Sequence, residues 1–233
     1  MKKWLFLVGL AALFLHGAHD ARAAVAEELF TKVKINLSSS NPPNIRNTSN
    51  TTPSASTSWR NKWLIISVDY TPVAPQKMRS AWIDDASMSV RAVFNGQSDG
   101  KTQAFLFSGK SMFRAVPLDN RKHIVTMMIP PQLLDRYLPS SGSASTVNLG
   151  STFTIEVLFQ DRAGTVIGRG YYGQRGWSDL KYADYFTKLN AGAAVEIPGS
   201  ILPRNETPWA FMDIDDYDLL KSGGASQPGQ GGR

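Results

Sequence analysis

Four acidic residues in the second half of the chain could take part in hydrolysis. In chain order they are Asp135, Glu156, Asp161 and Glu196. Hydrolysis of a glycosidic bond needs two carboxyl groups on either side of that bond. The sequence leaves open whether two of these groups converge. Glu156 alternates with the apolar Ile155 and Val157, so we expect its side chain on the solvent face of a strand. A secreted carboxylate-dependent glycoside hydrolase is therefore one alternative function.

Clustered aspartates near the C-terminus are the candidate ligands for a metal ion. They are Asp213, Asp215, Asp216 and Asp218. Calcium binds six to eight oxygen atoms, and carboxylates supply many of them. The spacing differs from that of the twelve-residue calcium loop, which has a central glycine and a final glutamate. A calcium site and a solvated acidic stretch both remain open.

The most aromatic stretch of the chain is the candidate ligand-binding region. Its members are Tyr171, Tyr172, Trp177, Tyr182 and Tyr185. Exposed aromatic rings can form a platform on which sugars stack, whereas buried rings only fill a core. The sequence therefore allows a glycan-binding module, with core packing as the alternative for most of these rings.

The chain has few histidine and no cysteine side chains for catalysis or metal binding. His16 and His19 lie in the N-terminal segment, which leaves His123 as the one histidine of the mature chain. One imidazole cannot build a zinc site with several histidines. His123 lies in a strand pattern, and no G-x-S-x-G motif accompanies it, so a Ser-His-Asp triad is not indicated. With no cysteine, the chain has neither disulfides nor thiol nucleophiles. We predict no catalytic residue and no cofactor.

The N-terminus has the form of a secretory signal in residues 1–23. Lys2 and Lys3 come first, residues 4–15 are almost entirely apolar, and Ala21-Arg22-Ala23 fits signal-peptidase cleavage. The apolar run is shorter than the about 20 residues that span a bilayer. A buried N-terminal helix is the alternative. We expect an exported protein in the periplasm, at the cell surface or in the medium, with no transmembrane segment after cleavage.

The net charge argues against nucleic acid as a partner. The whole chain carries +6, and the predicted signal removes three cations and one anion, which leaves about +4. Binding to nucleic acid needs a clustered basic stripe, and this sequence has none.

Short segments of alternating hydrophobicity follow the signal. This pattern is typical of strands in an antiparallel sandwich. The predicted strands cover residues 29–37, 59–70, 86–94, 102–107, 112–116, 123–129, 152–159, 165–172, 194–197 and 207–214. Turns are predicted at 95–100 and 108–109, and short helices at 131–138 and 179–189. The prediction is one all-β domain over residues 24–221, with a flexible loop at 38–58 and a disordered tail at 222–233.

Four segments carry a resemblance to a known family. They are MKKWLFLVGLAALFL, SSSNPPNIRNTSNTTPSAS, TFTIEVLFQDRAGTVIGRGYYG and WAFMDIDDYD. The chain resembles the secreted immunoglobulin-like proteins encoded beside type IV pilus-like genes in mucin-degrading gut Verrucomicrobia of the Akkermansia type. The resemblance implies an immunoglobulin-like sandwich linked to pilus formation or surface adhesion, and it supplies no known catalytic residues to carry over. The sequence lacks a prepilin signal, which favours an accessory partner over the main pilus subunit.

The leading functional hypothesis is therefore an exported, non-enzymatic interaction protein. Its expected partners are envelope or pilus proteins, with a host glycan or host protein as alternatives. Strand 29–37 is a candidate docking edge, because unpaired backbone groups at a sheet edge accept another strand. Lys32 and Lys34 would protect this edge when no partner is bound.

Overall fold

The computed structural model describes residues 28–43, 62–75, 82–98, 100–138, 152–210 and Leu220. Two α-helices lie in these segments, α1 (Pro131–Tyr137) and α2 (Asp179–Lys188). The strands of the described segments are β1 (Phe30–Ser40), β2 (Trp63–Pro72), β3 (Trp82–Asp84), β4 (Ser87–Ser98), β5 (Lys101–Met112), β6 (Ala115–Pro117), β7 (His123–Ile129), β8 (Thr154–Gln160), β9 (Val166–Tyr172), β10 (Val195–Ile197) and β11 (Leu202–Pro203).

The strands form two main sheets that pack face to face. The first sheet has the order β1-β2-β7-β11, and the second has the order β10-β5-β4-β8-β9. Neighbouring strands are antiparallel except for β10, which runs parallel to β5. Strands β3 and β6 form a separate two-stranded ribbon. The predicted all-β sandwich with short helices is confirmed.

Apolar side chains that alternate along each strand fill the space between the sheets. On β2 the buried positions are Leu64, Ile66, Val68 and Tyr70, and on β4 they are Met88, Val90, Ala92 and Phe94. Tyr70 joins the two sheets, because its ring centroid lies 4.8 Å from that of Phe159 on β8. Full burial of one such side chain contributes about 1.5–3 kcal/mol.

A bulge in β1 changes the face that its first residues present. Regular alternation along the predicted strand 29–37 would place residue 31 on the same face as residues 33, 35 and 37. Instead, Lys32 adopts a left-handed φ of 52°, and the pairing with β2 shifts between Thr31 and Lys34. As a result Phe30 is fully buried and Thr31 is only half-buried. One extra residue in a strand reverses the alternation on one side of the bulge.

Of the two turns predicted within residues 95–109, the first starts too early and the second is wrong. Strand β4 continues through Asn95 to Ser98, and the chain reverses near Gly100, whose φ is 74°. Strand β5 runs without interruption past Ser108 and Gly109, which pair with β4. Turn-forming residues inside a long hairpin remain extended because the cross-strand ladder satisfies their backbone groups.

Other boundaries also differ from the prediction. Residues 38–40 of the predicted loop belong to β1, and β2 starts at Trp63 and continues through Pro72. Thr207 to Ala210 form a turn, so the strand predicted from residue 207 is wrong there. Residues 44–61 and 211–219 lie outside the described residues. The sequence pattern missed β3 and β11, which are three and two residues long.

Helix α2 adds a third layer on the outer face of the second sheet. It begins after Ser178, whose Oγ accepts a hydrogen bond from the Lys181 N–H at 3.4 Å. Phe186 and the following Leu189 are buried against Val93 of β4 and Leu106 of β5. This outer face is therefore covered in part by protein rather than by solvent.

Glycines in β9 allow β1 to approach closely at one side of the sandwich. A Cβ added to Gly168 would lie 2.5 Å from the carbonyl oxygen of Phe30, and one added to Gly170 would lie 2.5 Å from Val33 Cγ1. Contacts this short require a shift, of the Phe30 backbone at Gly168 and of the Val33 side chain at Gly170. The two residues therefore fix the distance between the edges of the two sheets.

Gly168→Ala is expected to lower the free energy of unfolding by about 1–3 kcal/mol, because the new methyl group overpacks the contact with Phe30. Urea unfolding followed by tryptophan fluorescence measures the change. Gly164→Asn is the control for an added side chain without overpacking: no atom lies within 4 Å of the added Cβ, and asparagine is among the residues that most readily adopt a positive φ such as the 84° found here. Equal stability of the Gly168→Ala variant and the parent would contradict the close approach.

Candidate functional site

A buried ion pair lies between the second sheet and α2. Arg91 on β4 pairs with Glu156 on β8 because these residues are opposite each other in the strand register. The Arg91 Nε donates to Glu156 Oε2 at 2.8 Å, and an Nη of the same guanidinium contacts the same oxygen. The Glu156 side chain is 5% exposed and that of Arg91 is 23% exposed. The prediction that Glu156 faces solvent is wrong.

Helix α2 is the reason for the burial of Glu156. The Arg91 Cζ lies 5.1 Å from the ring centroid of Phe186, so the guanidinium is held between the carboxylate and an aromatic face. A carboxylate buried in this way needs a paired cation, since an unpaired charge in a protein interior is costly. Glu156 is therefore paired with Arg91 in a structural contact.

Four of the five aromatic candidates form one group, which we name the α2 aromatic cluster. Its members are Tyr171, Trp177, Tyr182 and Tyr185. The Tyr171 and Tyr182 rings are stacked, with centroids 5.2 Å apart and an angle of 6°. Trp177 lies 5.1 Å from Tyr182 and 5.4 Å from Tyr185. The Lys181 Nζ lies 4.6 Å from the centroid of the Trp177 ring.

Tyr172 does not join this cluster. It is next to Tyr171 on β9, so its side chain points to the opposite face, where it packs against the sandwich core. Within the cluster, Tyr182 is buried, while Tyr171, Trp177 and Tyr185 are half-buried. The Tyr182 hydroxyl donates to the Gln174 carbonyl at 2.8 Å. The rings thus contact one another and leave only part of their surface to a ligand.

Burial has a clear electrostatic effect on the cluster. It raises the pKa of the Tyr171 hydroxyl, and the nearby Glu156 carboxylate raises it further. Burial likewise raises the pKa values of Tyr182 and Tyr185. Tyrosine hydroxyl groups are protonated at neutral pH in any case, and the raised pKa values keep these three protonated, and able to donate hydrogen bonds, to more alkaline pH.

The other carboxylates proposed for hydrolysis are separate from Glu156. Asp161 closes the β8–β9 turn, because its Oδ1 accepts from the Thr165 N–H at 2.8 Å and its carbonyl accepts from Gly164 N–H at 3.0 Å. Glu196 is exposed on β10, and Asp135 is exposed on α1. Among the described residues, Glu156 is the buried carboxylate.

His123 pairs with a loop carboxylate. Its Nε2 lies 3.1 Å from Asp119 Oδ1, and its ring centroid lies 5.6 Å from that of Tyr70 at the core. Although burial opposes the shift, the Arg121 backbone N–H and the His123 ring lower the pKa of the Asp119 carboxyl below its ordinary value. The contact stabilises the loop before β7.

No group of three or more residues that could bind a metal is present in the part of the chain that the structure describes. The calcium candidates Asp213, Asp215, Asp216 and Asp218 lie outside the described residues. The calcium site therefore stays a prediction.

Two surface features had no counterpart in the sequence reasoning. Trp82 on the β3–β6 ribbon is 57% exposed, although tryptophan is usually well buried. A cleft of about 480 Å³ lies beside β5, between the outer face of the second sheet and the chain that leads into β11. Its walls come from residues about 100 positions apart, so no local motif could reveal it.

Strand β1 is an edge strand of the first sheet, as the docking hypothesis requires. Lys32 and Lys34 are both exposed. However, β9 of the second sheet lies against Phe30 and Val33, so part of this edge is already covered.

Comparisons with known proteins identify a family and a related fold. A protein-family model matches residues 22–223. Among solved structures, a crystal structure of a protein from Akkermansia muciniphila matches with a TM-score of 0.58 and 12% sequence identity, covering 82% of this chain and 96% of that chain. At this identity the likeness concerns the fold. No curated protein matches. None of the helices in the described segments is long and apolar enough to cross a membrane.

Arg91→Met and Glu156→Met are each expected to lower the free energy of unfolding by about 3 kcal/mol, because each leaves a buried charge unpaired. The double variant should be much closer to the parent, because it buries no charge. Chemical denaturation of all four proteins gives the coupling energy. Asp184→Ala breaks the exposed ion pair with Lys188 and serves as the control, with a change within about 0.5 kcal/mol. Additive effects of the two methionine changes would contradict the buried pair.

Proposed function

The chain belongs to the family whose model matches residues 22–223, and on this premise we propose that it is an exported, non-catalytic binding protein of the cell envelope. Its partners are other envelope proteins, among them proteins of pili or of surface adhesion. The proposal combines the secretory signal in the sequence with a sandwich scaffold, which exposes loops and strand edges to partners.

The state of Glu156 is the observation that carries the non-catalytic part of the proposal. A glycosidase needs two carboxyl groups on either side of a substrate bond. Glu156 is instead bound to Arg91 beneath Phe186. Asp161 is used in a turn, and Glu196 and Asp135 lie on other elements. This arrangement supports binding in preference to hydrolysis. Turnover of mucin-type sugars that disappears with Glu156→Gln would favour the hydrolase instead.

The association with pili rests on the resemblance of four sequence segments to secreted immunoglobulin-like proteins encoded beside pilus-like genes. The sandwich fold is compatible with that resemblance but does not itself specify a partner. The same resemblance supports an immunoglobulin-like topology and a location in the periplasm, at the cell surface or in the medium.

Affinity capture from native envelope after in-cell cross-linking tests the proposed function. We expect pilus or adhesion proteins to be enriched with the full-length exported protein and identified by mass spectrometry. A variant without residues 1–23, retained in the cytoplasm, is the control for adsorption after lysis. Enrichment of nothing but soluble metabolic enzymes would overturn the proposal.

The α2 aromatic cluster supports a second candidate, a glycan-binding module. Trp177 is half-buried, and Lys181 lies over its ring, so a cation and an aromatic surface are adjacent. Sugars bind to such surfaces through ring stacking and polar contacts. The mutual stacking of Tyr171 and Tyr182 leaves less free ring surface and weighs against this candidate.

If the glycan candidate is correct, an array of mucin-type glycans will show saturable binding that Trp177→Ala weakens by about fivefold or more, because a stacking contact is lost. Trp82→Ala is the matched control, since Trp82 lies on the β3–β6 ribbon and is absent from the cluster. Thermal melts of both variants check that α2 stays folded. An equal loss with both variants, or no binding by the parent, would rule out the module.

A further inference from the structure

The cleft beside β5, which we name the β5 cleft, is built by the exchange of one chain segment between the two sheets. Strand β10 pairs with β5 as far as Phe107. The chain then turns, and the Ile201 N–H donates to the Ser108 carbonyl at 3.2 Å. Leu202 and Pro203 continue into the first sheet, where they pair with β7. The cleft opens at the point where this segment leaves β5.

Several contacts fix the walls of the β5 cleft. The Ser108 N–H donates to Ser200 Oγ at 3.1 Å, and that hydroxyl donates to the Ile197 carbonyl at 2.6 Å. A Cβ added to Gly109 would lie 1.9 Å from the Ile201 carbonyl oxygen, so the segment lies directly against the β5 backbone. With both sides hydrogen-bonded to a sheet, the cleft is formed before any ligand arrives.

Opposite charges line the β5 cleft. Lys110 extends from β5, and Glu206 lies beyond β11; both are exposed. Neither belongs to an ion pair with another described residue. Arg91 also lines the cleft, but its charge is balanced by Glu156. The lining thus has no net charge, while it keeps one cation and one anion for a ligand.

The remaining lining combines small polar and apolar surfaces. Ser89 and Ser108 supply hydroxyl groups, and Leu202 and Pro203 supply an apolar wall. A volume of about 480 Å³ lies in the range of pockets that bind small ligands or short peptides. A simple anion would be attracted by Lys110 but repelled by Glu206. A ligand that carries one negative charge, one positive charge and an apolar part can contact Lys110, Glu206 and the apolar wall at the same time.

We propose that the β5 cleft binds a short extended segment of a partner protein, with an acidic side chain at Lys110 and a basic side chain at Glu206. The inference rests on the proposed function, since it names the surface through which this binding protein holds its partner. Complementary charges at the two residues set the orientation of the segment. The apolar wall contacts the aliphatic part of the segment.

Selection of peptides from a display library of random decapeptides on the immobilised full-length protein tests the inference. We expect the selected peptides to carry an acidic and a basic residue. Fluorescence anisotropy should give affinities that Lys110→Glu or Glu206→Lys each weaken at least about tenfold, because attraction becomes repulsion. Peptides with the two charges exchanged should bind the doubly exchanged variant. Glu196→Lys is the matched control, an exposed charge reversal on β10 that leaves affinity unchanged.

A second variant, Ser108→Trp, fills the cleft without changing charge and should abolish peptide binding. Thermal melts check that it folds. Selected peptides that bind this variant and the charge variants as well as the parent would overturn the inference. The inference would also be overturned if the library yields no binder, or if the cleft binds neutral sugars and no peptide.

The same variant separates the two proposals. If Ser108→Trp captures the same envelope proteins as the parent, the β5 cleft is not the docking surface, although the protein still acts by binding. If the parent captures no envelope protein, the proposed function itself fails.

Discussion

Burial of alternating apolar side chains between two sheets is the interaction on which this molecule depends. The chain has no cysteine, so no disulfide can compensate for a poorly packed interior. Phe30, Tyr70 and Phe159 meet at ring distances of 4.8–5.0 Å and link both sheets at one end of the core. Such packing leaves little tolerance for added volume, which is why glycines are found where β1 crosses β9.

Helix α2 gives the second sheet a second covered face. Its apolar residues pack on Val93 and Leu106, and they enclose the Arg91–Glu156 pair at the margin of that contact. A displacement of the helix would remove the Phe186 ring from the Arg91 guanidinium, although the pair itself is bonded between β4 and β8. The α2 aromatic cluster and the β5 cleft both lie on this side of the molecule. Arg91 of β4 connects them, because it lines the cleft and its guanidinium lies over Phe186 of α2. The α2 aromatic cluster is therefore a consequence of this layer of packing, whereas the β5 cleft borders it at Arg91.

The sequence predicted most strands and both helices, because these depend on the local spacing of apolar residues and on nearby residues that end a strand or helix. Strand β7 and the first residue of each helix agree with the pattern at the residue level. The prediction failed where an element distant in sequence determines whether a side chain is buried. Glu156 has the pattern of a solvent-facing residue, but a helix more than 20 residues later covers it. The bulge at Lys32 escaped prediction, because a left-handed lysine has no local signal. The β5 cleft depends on the exchange of β10 and β11 between sheets, which no spacing of residues encodes.

The position of β10 and β11 near the C-terminal end of the described chain bears on how the protein is made. These strands pair with β5 and β7 at separations of about 75–90 residues, and β1 meets β9 across a separation of more than 130. Contacts so distant in sequence form slowly, and none of them can form until the later partner has emerged during synthesis. An incomplete chain therefore exposes the aromatic faces of both sheets for much of its production. The sandwich can close fully only when residue 203 is available to pair with β7.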